Sequence, residues 1–388
     1  MWKVDRLPSE SEFSKKWESF RDLYFNDILH DIKDLVETET PSDSPELLEK
    51  GIGKIMEIIM VRTGTTPEVI ISNEKKSVYC SFFNGEKGRR ILLLCHYDTV
   101  WPAGTLKTMP FLLKDNIASG PGVFDMKSGI IMSIWAVKFL QEIGGSRNPV
   151  EILITPDEEI GSESSRALIE QLAKKSSAVI VMEAALGESV KVGRKGVMDF
   201  TIDISGKAAH AGLDPDKGIS AISDLARIIP KIESCANPEM GTTVNVGLIN
   251  GGSRTNVVPA FAQARVDVRI MTMKEAKRVS ACFDQITKAK YRSTVTITGG
   301  LNRPPMEKNK KTMELFEEVS RIGSKFSFKL EGVEVGGASD GNFVSAAGLP
   351  VIDGMGAVGD GAHSLSERID VTKTINRILL ISSIINYL

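Results

Sequence analysis

The sequence lacks the features that would mark several classes of protein. Its four cysteines, Cys80, Cys95, Cys235 and Cys282, show no CxxC spacing. That scatter argues against a disulfide framework and a thiolate metal site, leaving all four as plain buried or half-buried thiols. No apolar run approaches the roughly 20 residues of a membrane helix. Excess charge of one sign is missing too: 48 Lys and Arg stand against 50 Asp and Glu, a net charge of -2. No general attraction to nucleic acid or to an anionic membrane is therefore expected. The first 21 residues are polar and charged, without the apolar segment of a secretion signal, so the cytoplasm is the expected location.

What is present has α/β rhythm. At 388 residues the chain exceeds one ordinary core, so two domains are expected. Apolar spacing predicts helices over Glu18–Glu37 and Glu46–Met60. Runs at Ser77–Phe83 and Arg90–Cys95, split by a turn-like Asn84-Gly85, read as buried parallel strands. A helix over Met126–Ile143, a strand at Val150–Thr155, a helix near Glu163–Ala173 and a strand at Ala178–Met182 continue the alternation. This predicts a mostly parallel sheet sandwiched by helices. After Gly193 the pattern becomes β-α-β-β-α-β, the split βαβ arrangement. Residues 195–302 are accordingly expected to form an inserted α+β, ferredoxin-like domain, with 1–194 and 303–388 forming the domain that receives it.

Histidine is scarce, with four in the chain, so each can be weighed. His30 lies in a helical stretch with no acidic or glycine-rich strand-end context and reads as an ordinary side chain. His96 ends the apolar strand Ile91–Cys95, and ligands bind at the carboxyl ends of strands in an open α/β sheet. Asp98, two residues on, can orient that imidazole. The glycine-rich segment from Gly120 delivers Asp125 at the start of a helix. A plain N-cap would need none of those glycines, whereas a carboxylate bridging two ions needs a backbone free to present it. Asp157, Glu158 and Glu159 end the next strand, and three adjacent acids repel unless a cation neutralises them; a solvated acidic turn is the alternative. A further apolar strand ends in Glu183, and a glycine-flanked loop carries His363. Imidazoles and carboxylates without thiolate suit zinc, cobalt or manganese in a catalytic site with open positions.

Four strings carry a family resemblance: His96-Tyr97-Asp98-Thr99-Val100, Gly122-Val123-Phe124-Asp125-Met126-Lys127, Asp157-Glu158-Glu159-Ile160-Gly161 and Ala209-His210-Ala211-Gly212. In order and approximate spacing the chain resembles the zinc-dependent aminoacylase and glutamate carboxypeptidase family from about Ile52 onward. The resemblance implies two divalent metal ions, zinc or alternatively cobalt or manganese. His96 and Glu183 would hold one, Glu159 and His363 the other, and Asp125 would bridge them. Asp98 would orient His96, Glu158 would be the general base, and the Asp125–Met126 peptide would be cis. It further implies that the inserted domain is a lid mediating a homodimer, with His210 reaching the partner's site to stabilise the oxyanion. Ala209 departs from the Ser that many relatives carry. Asn256, Arg269, Arg303 and Gly337 match substrate-binding positions, although Arg269 could instead be a surface partner of Asp267.

The implied activity is hydrolysis of an amide bond next to a free carboxylate, in a small peptide or an N-acyl amino acid. The Gly-Pro-Gly loop and the Gly336-Gly337-Ala338-Ser339-Asp340 segment are similar to those of bacterial glutamate carboxypeptidases. An aminoacylase or an N-succinyl-amino-acid desuccinylase is the alternative. A catalytically silent binding relative would usually have lost a ligand or the base, and here every such position is filled.

Overall fold

The computed structural model describes residues 8–84 and 88–388, so Gly85 of the expected Asn84-Gly85 turn lies outside the described residues. The chain divides into two compact units. One comprises the residues up to Gly193 with Lys308–Glu334 and Ser339–Leu388; the other comprises Arg194–Glu307 with Val335–Ala338. Among the described residues, no helix is long and apolar enough to cross a membrane.

The first unit is built on a six-stranded sheet. Its order is Glu68–Ser72, Lys75–Phe82, Val150–Thr155, Ile91–His96, Ala178–Val181 and Val351–Ile352. The last four strands run parallel, and the central three are buried along their whole length, as strands covered on both faces must be. The expectation of parallel pairing fails for Lys75–Phe82, which is antiparallel to both neighbours. Its burial alternates toward the end, the mark of an antiparallel strand packed on one face. Helix Ser128–Glu142 is apolar nearly all round and buried, and it packs against the C-terminal helix Val371–Tyr387. The first helix spans Glu10–Val36, beginning before the expected Glu18. Ser9 caps it by accepting from the Glu12 N–H, a favoured N-terminal device. The added turns bury Phe13 and Trp17 edge-on against Phe139, at centroid distances of 5.1 and 5.4 Å.

A second, small sheet in this unit positions the site. Its strands are Gly359–Asp360, Arg368–Asp370, Ile117–Ser119 and Leu112–Lys114, all antiparallel. Ser119 pairs with Arg368, so the loop that leaves Ser119 and the loop that enters Arg368 lie side by side.

The second unit is a four-stranded antiparallel sheet in the order Thr243–Gly251, Phe261–Ile270, Gly196–Ser205 and Thr294–Arg303. Helices Ala221–Glu233 and Met273–Lys288 supply Leu225, Ile228, Ile232, Val279 and Phe283 to a core completed by the sheet. Phe283 stacks on Phe200 with centroids 4.0 Å apart. One sequence expectation is corrected here: Cys235 and Cys282 form a disulfide, with Cα atoms 6.1 Å apart, inside the span such a bridge tolerates. Cys235 follows one helix and Cys282 lies in the other, so packing both on one face brings them together despite a separation of 47 residues. Cys80 and Cys95 are buried free thiols.

Candidate metal centre

The carboxyl ends of the parallel strands and the two adjoining loops bring the candidate residues of the first unit together. His96 ends its strand 2% exposed. Its Nδ1 lies 3.0 Å from the Asp98 carbonyl oxygen and 3.4 Å from Asp98 Oδ1. With the Nδ1 proton given to that carbonyl, Nε2 offers a lone pair toward the site. This Nε2 is 3.3 Å from Asp125 Oδ1 and 3.3 Å from Glu183 Oε1. His363 sits in a left-handed conformation, φ 60°, in the loop after Gly359–Asp360. Its Nε2 lies 3.2 Å from Asp125 Oδ2 and 3.3 Å from Glu159 Oε2. Asp125 thus stands between two imidazole–carboxylate pairs and turns one oxygen to each. The Asp125–Met126 peptide is cis.

The donor set fits divalent ions. His96 Nε2, Asp125 Oδ1 and Glu159 Oε1 are buried and, among the described residues, have no hydrogen-bond partner, although buried polar atoms are almost always satisfied. One ligand atom each from His96, Asp125 and Glu159 falls within 4.8 Å of the others, as does one each from His96, Glu158 and Glu183. Without metal, protons take the cations' place. Hydrogen bonds that His363 donates to the Asp125 and Glu159 carboxylates push its imidazole up to about 11. Burial opposes the charged form of His96, yet Asp125, Asp98 and Glu183 outweigh it and raise its pKa well above the usual value. Burial also opposes the Asp125 carboxylate, but His363 and His96 prevail and hold it far below the carboxylate range. Burial raises Glu159.

Asp98 holds this geometry together with Ser42, Thr40, Trp101 and Glu367, four residues that the sequence did not single out. The Asp98 carboxylate touches His96 and also accepts the backbone N–H groups of Glu158 at 3.1 Å and Glu159 at 3.2 Å, with Ser42 Oγ donating at 2.8 Å. Thr40 Oγ1 donates to the Tyr97 carbonyl at 2.6 Å. Glu367 accepts from the Asp125 loop and from Trp101. Asp157, first of the three adjacent acids, is occupied by Ser164, whose N–H and Oγ both donate to it. His30 stays on the surface, 3.6 Å from Asp34.

In the second unit, the segments of His210 and Asn256 are neighbours: Ala211 N donates to Asn256 O, and Val258 N to Ala209 O. His210 Nδ1 accepts the backbone N–H groups of Gly212 at 3.1 Å and Leu213 at 3.0 Å. The neutral ring therefore carries its proton on Nε2. Arg269 grips Asp267 with Nε at 3.0 Å and Nη2 at 2.9 Å, the surface pairing that its sequence context left open. Arg303 is 4% exposed at the end of an edge strand. The Gly337 carbonyl accepts from Arg194 at 3.2 Å.

Comparison with known proteins agrees with this reading of the fold. Carboxypeptidase G2 of Pseudomonas sp. (strain RS-16) is 28% identical over 309 residues, covering 78% of this chain and 74% of its own. A succinyl-diaminopimelate desuccinylase of Aliarcobacter butzleri is 27% identical over 321 residues, covering 78% and 85%. The M20 family metallo-carboxypeptidase Sso-CP2 of Sulfolobus solfataricus shares the fold at a TM-score of 0.74 and 16% identity, covering 92% of this chain and 98% of its own. Residues 92–387 match the Peptidase family M20/M25/M40, and with His96, Asp125, Glu159, Glu183 and His363 all inside that span, the chain belongs to this family of metal-dependent hydrolases.

Proposed function

We propose that the protein is a two-metal amidohydrolase that cleaves an amide bond beside a free carboxylate, most concretely a glutamate carboxypeptidase. The observation that carries this reading is Asp125, with one oxygen toward the His96–Glu183 pair and the other toward the His363–Glu159 pair. Divalent ions bound there, zinc or alternatively cobalt or manganese, supply Lewis-acid polarisation of the scissile carbonyl and bring the ionisation of a water near neutral pH. Glu158 takes the proton of the attacking water and returns it to the departing amine. Asp98 fixes where that can happen, because it holds the Glu158 and Glu159 backbone N–H groups with the carboxylate that also faces His96.

Residues 195–302 act in this proposal as the lid and dimer-forming domain. His210 donates from Nε2 to the oxyanion of the partner's site, an interaction worth about 3–4 kcal/mol when one such donor is lost. Asn256, Arg303 and Gly337 receive the substrate, and Arg269 offers the planar fork suited to a carboxylate while sharing it with Asp267. The desuccinylase similarity keeps N-acyl amino acids as a second substrate class. A panel of N-acyl-glutamates, N-succinyl-amino acids and dipeptides, assayed with zinc-, cobalt- and manganese-loaded protein, tests the reading. Fastest turnover of acyl-glutamates is expected, together with its loss on chelation. Chelator-insensitive turnover, or none on any carboxylate-bearing amide, overturns it.

A further inference from the structure

We infer that Glu367 is a positioning residue of the metal centre: a single buried carboxylate gathers the loops that carry His96, Asp125 and His363. The inference rests on the metal-site reading above and adds a residue outside the ligand set. Glu367 is 0% exposed. Its Oε1 accepts the backbone N–H groups of Phe124 at 2.9 Å and Asp125 at 3.0 Å. Its Oε2 accepts the Gly122 N–H at 3.0 Å and the Trp101 indole N–H at 2.8 Å. An ionised carboxylate offers about four acceptor sites, and four donors fill them. No lone pair is left for an ion, so Glu367 acts on the ligands rather than as one.

Each donor belongs to a segment that carries a ligand. Gly122, Phe124 and Asp125 form the turn that presents the central carboxylate, and the Asp125 N–H itself is one of the four. Trp101 lies in the loop that follows His96. Glu367 closes the turn holding His363, where Ser364 N donates to Gly361 O at 3.0 Å and Glu367 N to Ser364 O at 2.9 Å. The small sheet makes this meeting possible, because its Ser119–Arg368 pairing sets the Gly120 loop beside the residue preceding Arg368. Carboxylates that hold metal ligands in this indirect way change metal affinity or activity about 10–100-fold when removed.

The test is Glu367→Gln, which keeps size but turns one acceptor oxygen into an N–H₂ facing N–H groups. Zinc affinity is read by competition with a chromophoric chelator, at a temperature where circular dichroism shows both proteins folded, and Co(II) absorption reports ligand geometry. The expected result is a zinc Kd raised about 10–100-fold with a shifted Co(II) spectrum. Trp101→Phe removes one donor of four; it should weaken zinc binding less and also shift the spectrum. A purely structural Glu367 would lower the melting temperature and leave Kd and spectrum alone. Wild-type values for both in the folded Gln variant overturn the inference. Should that variant not fold, wild-type values in Trp101→Phe overturn it. Wild-type protein that takes up no metal overturns the metal-site reading itself, and that failure is visible before any substitution is made.

Discussion

Glu158 and Glu159 are adjacent in sequence, and one neighbour sets their side chains on different courses. Asp98 pins both backbone N–H groups, after which the Glu159 side chain turns to His363 at 3.3 Å while Glu158 shares the surroundings of His96 and Glu183. Glu158→Gln should therefore lower kcat about 10²–10⁴-fold while metal analysis still finds two ions per chain; normal turnover in that variant would remove Glu158 from the reaction. Glu159→Gln should instead lose about one equivalent of metal, measured after dialysis against a weak chelator. The proposed ligands stood out in the sequence because histidine is scarce, because His96, Glu159 and Glu183 lie at or just after strand ends, and because Asp125 and His363 sit in glycine-rich loops. Thr40, Ser42 and Glu367 are not, because their task is to satisfy groups far along the chain, as when Glu367 accepts an N–H from a residue 245 positions away. Nor can sequence decide whether Arg269 serves a substrate or Asp267, since both uses need the same guanidinium.

The Gly120–Asp125 loop shows how an element is specified by what it excludes. Gly122 has φ +74°, and a Cβ there would meet Thr99 Cγ2 at 2.7 Å. Gly122→Ala should cost about 1–3 kcal/mol in chemical denaturation, from overpacking added to an unfavourable left-handed backbone; an unchanged midpoint would mean that the loop can move aside. The first helix makes a simpler case. Trp17 is 2% exposed and packed against Phe139 and Phe20, so Trp17→Ala should cost about 3–5 kcal/mol. The central strands were readable because full burial writes an unbroken apolar run, and the β-α-β-β-α-β insertion because each element is long enough to show its period. Strands of two or three residues, such as Gly359–Asp360 and Arg368–Asp370, show no period, so the small sheet beneath the site left no trace. The Cys235–Cys282 bridge escaped for a related reason: it joins two segments only after both helices have packed on one sheet face.

On the scale of the whole molecule, the two units have separate cores, and all five proposed ligands belong to the first. Metal that binds the folded unit and not the unfolded chain stabilises it by mass action, about 2.7 kcal/mol at a free concentration of 100 Kd. Calorimetry should then show the transition of the first unit rising with metal while that of the second stays in place. Protons set the size of the effect. Without metal, His363 is pushed up to about 11 and His96 well above its usual value, so both imidazoles are charged at pH 7 against an unfolded value of about 6.5. A raised folded pKa means that these ion pairs stabilise the metal-free unit fully below about pH 6.5 and are lost progressively as the pH climbs from there through the raised values. Ligation requires neutral imidazole, so each ion must displace one proton from its histidine. Between pH 6 and 8 the affinity for each ion should therefore climb about tenfold per pH unit. Titration calorimetry in buffers of different ionisation enthalpy should find about two protons released per chain at pH 7. Uptake of two ions with no proton release would mean that the histidines are already neutral, and that the ion pairs through Asp125 are not what metal replaces.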